Sequence, residues 1–199
     1  MAKRRVLITC ADRYMGPAIQ KKFQNLEFDV TAGRSPMITE NQVVEAVDAA
    51  GHIDVLVANF AHPPVTGALE QLKSDDWMTL FDQLVHPLMY TVRATIPQML
   101  ERESGKIIAI TSAAPLKGIP NNSAYCAARG AQNSFIKAVG LELARSNIQV
   151  NAIAQNYIHN DTYYPDDLLK DEKFINHLNR NVPTRKIGSS EETAELAAY

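Results

Sequence analysis

Cysteine is scarce: Cys10 and Cys126 are the only two in 199 residues, and they form no CxxC pair. That excludes a disulfide framework and leaves both as small packing residues in a reducing, cytoplasmic setting. The five histidines, His52, His62, His86, His159 and His177, stand at no metal-ligand spacing from one another or from cysteine, so no structural zinc site is expected. No apolar run approaches the roughly 18 residues of a membrane-spanning helix. The basic start MAKRRVLITC has too short an apolar run for a secretory signal. Charge of one sign is lacking too. Twenty Lys and Arg face 22 Asp and Glu, a net charge of -2, which provides no electrostatic footprint for nucleic acid.

What is present is enough apolar residue for a real core: 46% hydrophobic against 21% charged. Short β-branched runs alternate with helical periodicity. RRVLIT (4–9), FDVTAG (28–33), HIDVLVANF (52–60), GKIIAITS (105–112) and IQVNAIAQ (148–155) read as strands. Segments 15–26, 39–50, 75–102 and 124–145 read as helices, with Pro87 kinking or dividing the third, and a last helix begins near Ser190. Near-continuous apolar strands separated by helices predict one α/β domain over residues 1–199: a Rossmann-like parallel sheet covered on both faces. The stretch NYIHNDTYYPDDLL reads as a loop or lid, and the charges of 166–173 as a solvated face. At the end, Leu196 and Ala197 look like a face waiting to pack. The expectation is a chain truncated at its C-terminus.

Chemistry concentrates in 111–130, TSAAPLKGIPNNSAYCAARG. Ser112 follows a strand directly, where ligands bind in open α/β sheets. Tyr125 and Arg129, four apart, share one helix face. A guanidinium close to a phenol favours the phenolate, which suits a general base acting on an alcohol, with the serine hydroxyl as a second hydrogen-bonding group. Spacing alone leaves a blander alternative open: Ser112 capping a turn, Tyr125 a half-buried anchor, Arg129 in solvent. Asp54 is read as fixing local backbone, Asn59 as satisfying loop backbone, and His159 and Asp161 as loop polar residues.

A serine at a strand end with Tyr-x-x-x-basic thirteen residues on resembles the short-chain dehydrogenase/reductase superfamily. IDVLVANFA (53–61), SGKIIAITS (104–112), SAYCAARGA (123–131) and NIQVNAIA (147–154) extend the likeness over nearly the whole chain. Three departures stand out. The first-strand fingerprint T-G-x-x-x-G-x-G is here Thr9-Cys-Ala-Asp-Arg-Tyr14-Met-Gly16, with one glycine left and an aromatic ring where a pyrophosphate would approach the backbone. The superfamily's lysine is Arg129, and Leu84 stands at its helix asparagine. Its Pro-Gly loop after the last of these strands is Gln155-Asn156, followed by Tyr157 and Ile158.

Together the departures resemble the halohydrin dehalogenases, which share the fold without a nucleotide. The resemblance implies a catalytic Ser112, Tyr125 and Arg129. It also implies a halide site at Tyr14, Gln155, Asn156, Tyr157, Ile158 and Tyr164, and no cofactor. The implied partners are a small haloalcohol or epoxide and a halide or other small anion, with a homotetramer for the full-length parent. The last strand of the superfamily fold has no counterpart in the sequence. Two alternatives stay open: an NAD(P)-dependent dehydrogenase/reductase, and a non-catalytic binding protein that kept the fold.

Overall fold

A computed structural model describes residues 3–199. Five strands, β1 (Arg5–Ile8), β2 (Asp29–Ala32), β3 (Val55–Ala58), β4 (Gly105–Ser112) and β5 (Ile148–Gln155), pair in the order β2-β1-β3-β4-β5. Every pair is parallel, as the uninterrupted apolar runs require. Helices α1 (Gly16–Asn25), α2 (Glu40–Ala50), α3 (Ser74–Leu84), α4 (His86–Glu101), α5 (Ala114–Lys117), α6 (Ser123–Leu143), α7 (Glu172–Asn181) and α8 (Ser190–Ala198) complete the chain.

Side chains alternate across a strand, so the inner strands feed two cores. Leu7, Leu56, Ile107 and Ala109 pack with residues of α2, α4 and α6. Val6, Ile8, Val55, Val57 and Ile110 pack with α1 and α8 through Met15, Ile19, Phe23 and Ala194. A smaller cluster joins α3 to the start of α6, through Leu80, Leu84, Ala124, Tyr125 and Ala128. The sheet order reverses between β1 and β3, and the loops that leave their carboxyl ends form the crevice where such folds bind ligands.

The sequence reading left two details open. The span 75–102 is two helices rather than one: α3 ends at Leu84 and α4 opens with His86-Pro87, where the proline's missing N–H costs nothing in the first turn. Helix α7 carries Phe174, Ile175 and Leu178 at helical spacing in a stretch the sequence reading left unassigned; its N-cap Asp171 accepts from the Lys173 amide, and only Leu178 is buried. The C-terminal helix begins as expected, with a reciprocal cap between Ser189 and Glu192.

Gly16 opens α1 where the chain doubles back on β1. A Cβ there would meet the Ala11 backbone at 2.6 Å, an approach that only glycine permits. Gly16→Ala is therefore expected to destabilise the fold by about 1–3 kcal/mol, seen as a lower urea midpoint at an unchanged m-value.

Candidate active site around a buried arginine

Every residue named from the sequence as a candidate site residue, except Arg129, lines one cavity of about 200 Å³. Its wall takes Tyr14 from the loop after β1, Ser112 from the end of β4, Tyr125 from the first turn of α6, and Gln155, Asn156, Tyr157, Ile158 and Tyr164 from the segment after β5. A more open depression at the opposite edge, lined by Arg4, Arg5, His52 and Asp54 among others, has none of this chemistry; there Asp54 accepts from the Arg5 amide and meets His52, a local backbone tie.

Arg129 lies directly behind Tyr125. Its side chain is fully buried, which rules out the solvent-facing alternative. One turn of α6 brings Nε to the Tyr125 hydroxyl at 3.2 Å. Nη1 donates to the Phe60 carbonyl at 3.2 Å and to Gln132 Oε1 at 2.8 Å, and Nη2 donates to the Tyr163 hydroxyl at 2.5 Å. Gln132 in turn donates to the Leu84 carbonyl at 2.6 Å, at the place where the superfamily carries an asparagine. Among the described residues, no carboxylate lies within ion-pair distance of the guanidinium. Instead the rings of Tyr14, Tyr125 and Tyr163 surround it, with centroids 6.0, 5.4 and 5.8 Å from Cζ. Burial disfavours the charged form, but the Tyr163, Tyr125 and Tyr14 oxygens outweigh burial and hold the arginine pKa above its ordinary value.

Ser112 Oγ accepts from the Ala114 amide at 3.1 Å, so it does cap a turn. That bond orients the hydroxyl and leaves its proton available to another acceptor. Asn133, two turns along α6 from Tyr125, donates to the Ser112 carbonyl at 3.0 Å and ties the strand end to the helix.

The loop after β1 explains the missing glycines. Cys10 and Tyr14 occupy the first two glycine positions of the fingerprint, and both keep the left-handed backbone that glycine favours, with φ of 45° and 57°. Asn59 holds that path by donating to the Cys10 and Arg13 carbonyls, the backbone role expected of it. The Tyr14 side chain then fills the crevice. It is buried, stands edge-on to Tyr163 with centroids 5.3 Å apart, and its hydroxyl accepts from Gln155 Nε2 at 2.7 Å. Burial pushes its pKa up to about 12 against the opposing pull of Arg129, so the ring stays a neutral phenol. Further along the crevice, the Ser35 amide donates to Asp12 at 2.9 Å and Met37 packs in the same core cluster as Cys10.

On the other wall, Tyr157 takes a φ of 49°. Its carbonyl accepts from Gly188, while among the described residues neither its amide nor that of Ile158 donates to a protein acceptor. Tyr157 and Tyr164 are in aromatic contact, and the Tyr157 hydroxyl shares a 2.7 Å hydrogen bond with His177 of α7. Burial, then Tyr157, raises the Tyr164 pKa, and burial raises that of Tyr157.

Sequence reasoning did not single out Tyr163 or Gln132 as partners of Arg129. A second tyrosine beside Tyr164 was the one available signal. His159 and Asp161 are not among the lining residues; His159 meets Asp166 at 3.0 Å on the surface.

A family model described as enoyl-(acyl carrier protein) reductase matches residues 13–199. The chain belongs to the short-chain dehydrogenase/reductase superfamily. Among curated relatives it is 28% identical to dehydrogenase/reductase SDR family member 4 of Bos taurus over 80% of this chain, and 29% identical to 3-oxoacyl-[acyl-carrier-protein] reductase of Homo sapiens over 80%. It spans 57% and 64% of those relatives' lengths. Among solved structures, a dehalogenation enzyme superposes with a TM-score of 0.90 at 27% identity, over 98% of this chain and 89% of the other. A halohydrin dehalogenase bound to ethyl (2S)-oxiran-2-ylacetate superposes equally well, 0.90, at 23% identity, over 98% and 88%. ElxO with NADP bound follows the same fold with a TM-score of 0.86 at 20% identity, over 98% and 89%. The chain thus shares its fold both with dehalogenases and with nucleotide-bound members of the superfamily.

One ammonium has three N–H donors, so a lysine at 129 serves at most three of the four acceptors that Arg129 now satisfies. Arg129→Lys is expected to destabilise the protein by about 1–3 kcal/mol, read from urea denaturation.

Proposed function

We propose that this protein converts vicinal haloalcohols to epoxides with release of halide, without a nucleotide, and runs the reverse opening of epoxides by small anions. The observation that carries the reading is Tyr14, held in the first-strand loop by Gln155 and Tyr163. The superfamily implies a nicotinamide dinucleotide, whose pyrophosphate needs close approach to this loop's backbone. With the Tyr14 ring buried there, the loop as folded does not accommodate one.

The substrate hydroxyl sits between Ser112 and Tyr125. Tyr125 accepts its proton while the oxygen attacks the neighbouring carbon; the C–O bond forms as the carbon–halogen bond breaks, and the halogen leaves with the bonding pair. Arg129, donating to the Tyr125 oxygen, supports negative charge there as the proton is transferred. Ser112 orients the reacting oxygen. The departing halide is received by the Tyr157 and Ile158 amides and by the ring edges of Tyr14 and Tyr164, which carry partial positive charge. Gln155 serves by fixing Tyr14, and Asn156 lines the same wall. The homotetramer and the cytoplasmic setting belong to the same proposal.

A second reading, an NAD(P)-dependent reductase, has its support in the curated relatives, whose names describe reductases and dehydrogenases. It requires Tyr14 to leave Gln155 and Tyr163.

Halide release from 1,3-dichloro-2-propanol, with no nucleotide added, is the deciding assay. Steady release is expected, falling by about 10²–10⁴-fold in Tyr125→Phe. Near-normal turnover in that variant would defeat the mechanism. Stoichiometric binding of NADH or NADPH in a calorimetric titration, without halide release, would establish the second reading instead.

A further inference from the structure

We propose that Tyr163 is a positioning residue: its hydroxyl, in place of a carboxylate, holds the Arg129 guanidinium against Tyr125. The inference rests on the reading of Tyr125 as the base.

A fully buried guanidinium must satisfy its donors or lose several kcal/mol, and here each nitrogen has a partner. Nε has Tyr125, and Nη1 has two acceptors. Nη2 has Tyr163 alone. Removing that acceptor therefore leaves one edge of the cation orphaned, and the plane turns toward Phe60 and Gln132, away from Tyr125.

Proton accounting sets the Tyr163 hydroxyl. It meets the His62 carbonyl at 2.8 Å, which only accepts, and the His62 amide at 3.2 Å, which only donates. The guanidinium also only donates. The single phenolic proton therefore goes to the His62 carbonyl, and the oxygen's lone pairs serve the His62 amide and Arg129 Nη2. The ring is clamped as well, 5.3 Å from Tyr14 and 6.0 Å from Tyr125, centroid to centroid.

The choice of a phenol over a carboxylate has an electrical consequence. Burial holds the Tyr163 pKa well above 10, against the opposing pull of Arg129. Tyr163 thus orients the cation as a neutral dipole and leaves its charge unneutralised. A carboxylate in the same place would fix the guanidinium equally well and cancel the field that supports Tyr125.

Tyr163→Phe keeps the ring and deletes only the hydroxyl. With wild type releasing halide, kcat is expected to fall about 10–100-fold, as for a misplaced catalytic group, with KM changed less than about threefold. In an Arg129→Met background the same substitution is expected to change kcat less than about twofold, because its effect runs through the guanidinium. A further loss of about tenfold there would overturn the proposal, since lost packing lowers kcat whatever stands at 129. If wild type releases no halide, the proposed function fails separately. Urea denaturation of the same four proteins then decides. A midpoint loss from Tyr163→Phe that largely disappears when Arg129 is already Met supports the hold on the guanidinium, and an equal loss in both backgrounds sinks it. Should Tyr163→Phe not fold, Tyr163→Met, a flexible filler without the hydroxyl, is put through the same measurements with the same criteria.

Discussion

A positive charge buried without a carboxylate is the constraint on which this site is built. Leaving a buried guanidinium unpaired costs on the order of 3–5 kcal/mol, so the surroundings must supply oxygen acceptors from neutral groups. Four acceptors come from three separate places: the Phe60 carbonyl beyond β3, Gln132 and Tyr125 on α6, and Tyr163 on the segment after β5. Meeting the demands of one side chain therefore ties together the two loops and the helix that form the cavity. Three aromatic rings close around the cation and exclude water, which strengthens each of those contacts.

The crevice beside it carries a second economy. A backbone path suited to glycine persists at positions 10 and 14, although cysteine and tyrosine now follow it. A left-handed non-glycine residue costs roughly 1–2 kcal/mol. Asn59, Gln155 and the Tyr14–Tyr163 contact hold the strained loop in place. A turn shaped for close approach of a phosphate thereby becomes a wall of a small cavity. Membership in a superfamily with many nucleotide-bound members thus sits beside a crevice filled by the protein's own side chain.

Much of this was legible in the residue pattern. β4 and β5 match the strands read from apolar continuity, and α6 lies within two residues of its periodic stretch. Pro87 marked the break between α3 and α4, though not which of the two outcomes, kink or division, it produced. The Ser112, Tyr125, Arg129 spacing and the Gln155–Ile158 loop pointed to one cavity. Helix α7 went unread although Phe174, Ile175 and Leu178 stand at helical spacing, because the charges of 166–173 just before and at its start read as a solvated face. Nor was Tyr163, since nothing in Tyr-Tyr-Pro tells which ring faces the arginine and which faces α7.

Sequence by itself determined what depends on local period and adjacency: parallel strands with helices between them, a tyrosine and an arginine one helical turn apart, and a loop stripped of two glycines. Tertiary structure alone decided what depends on residues far apart in the chain. Burial of Arg129 follows from the closure of Phe60 and Tyr163 over it, 69 and 34 residues away. The seat of the Tyr14 ring follows from Gln155, 141 residues away. A side chain's partner across such separations is set by strand order and loop path, and no periodicity in the chain encodes it.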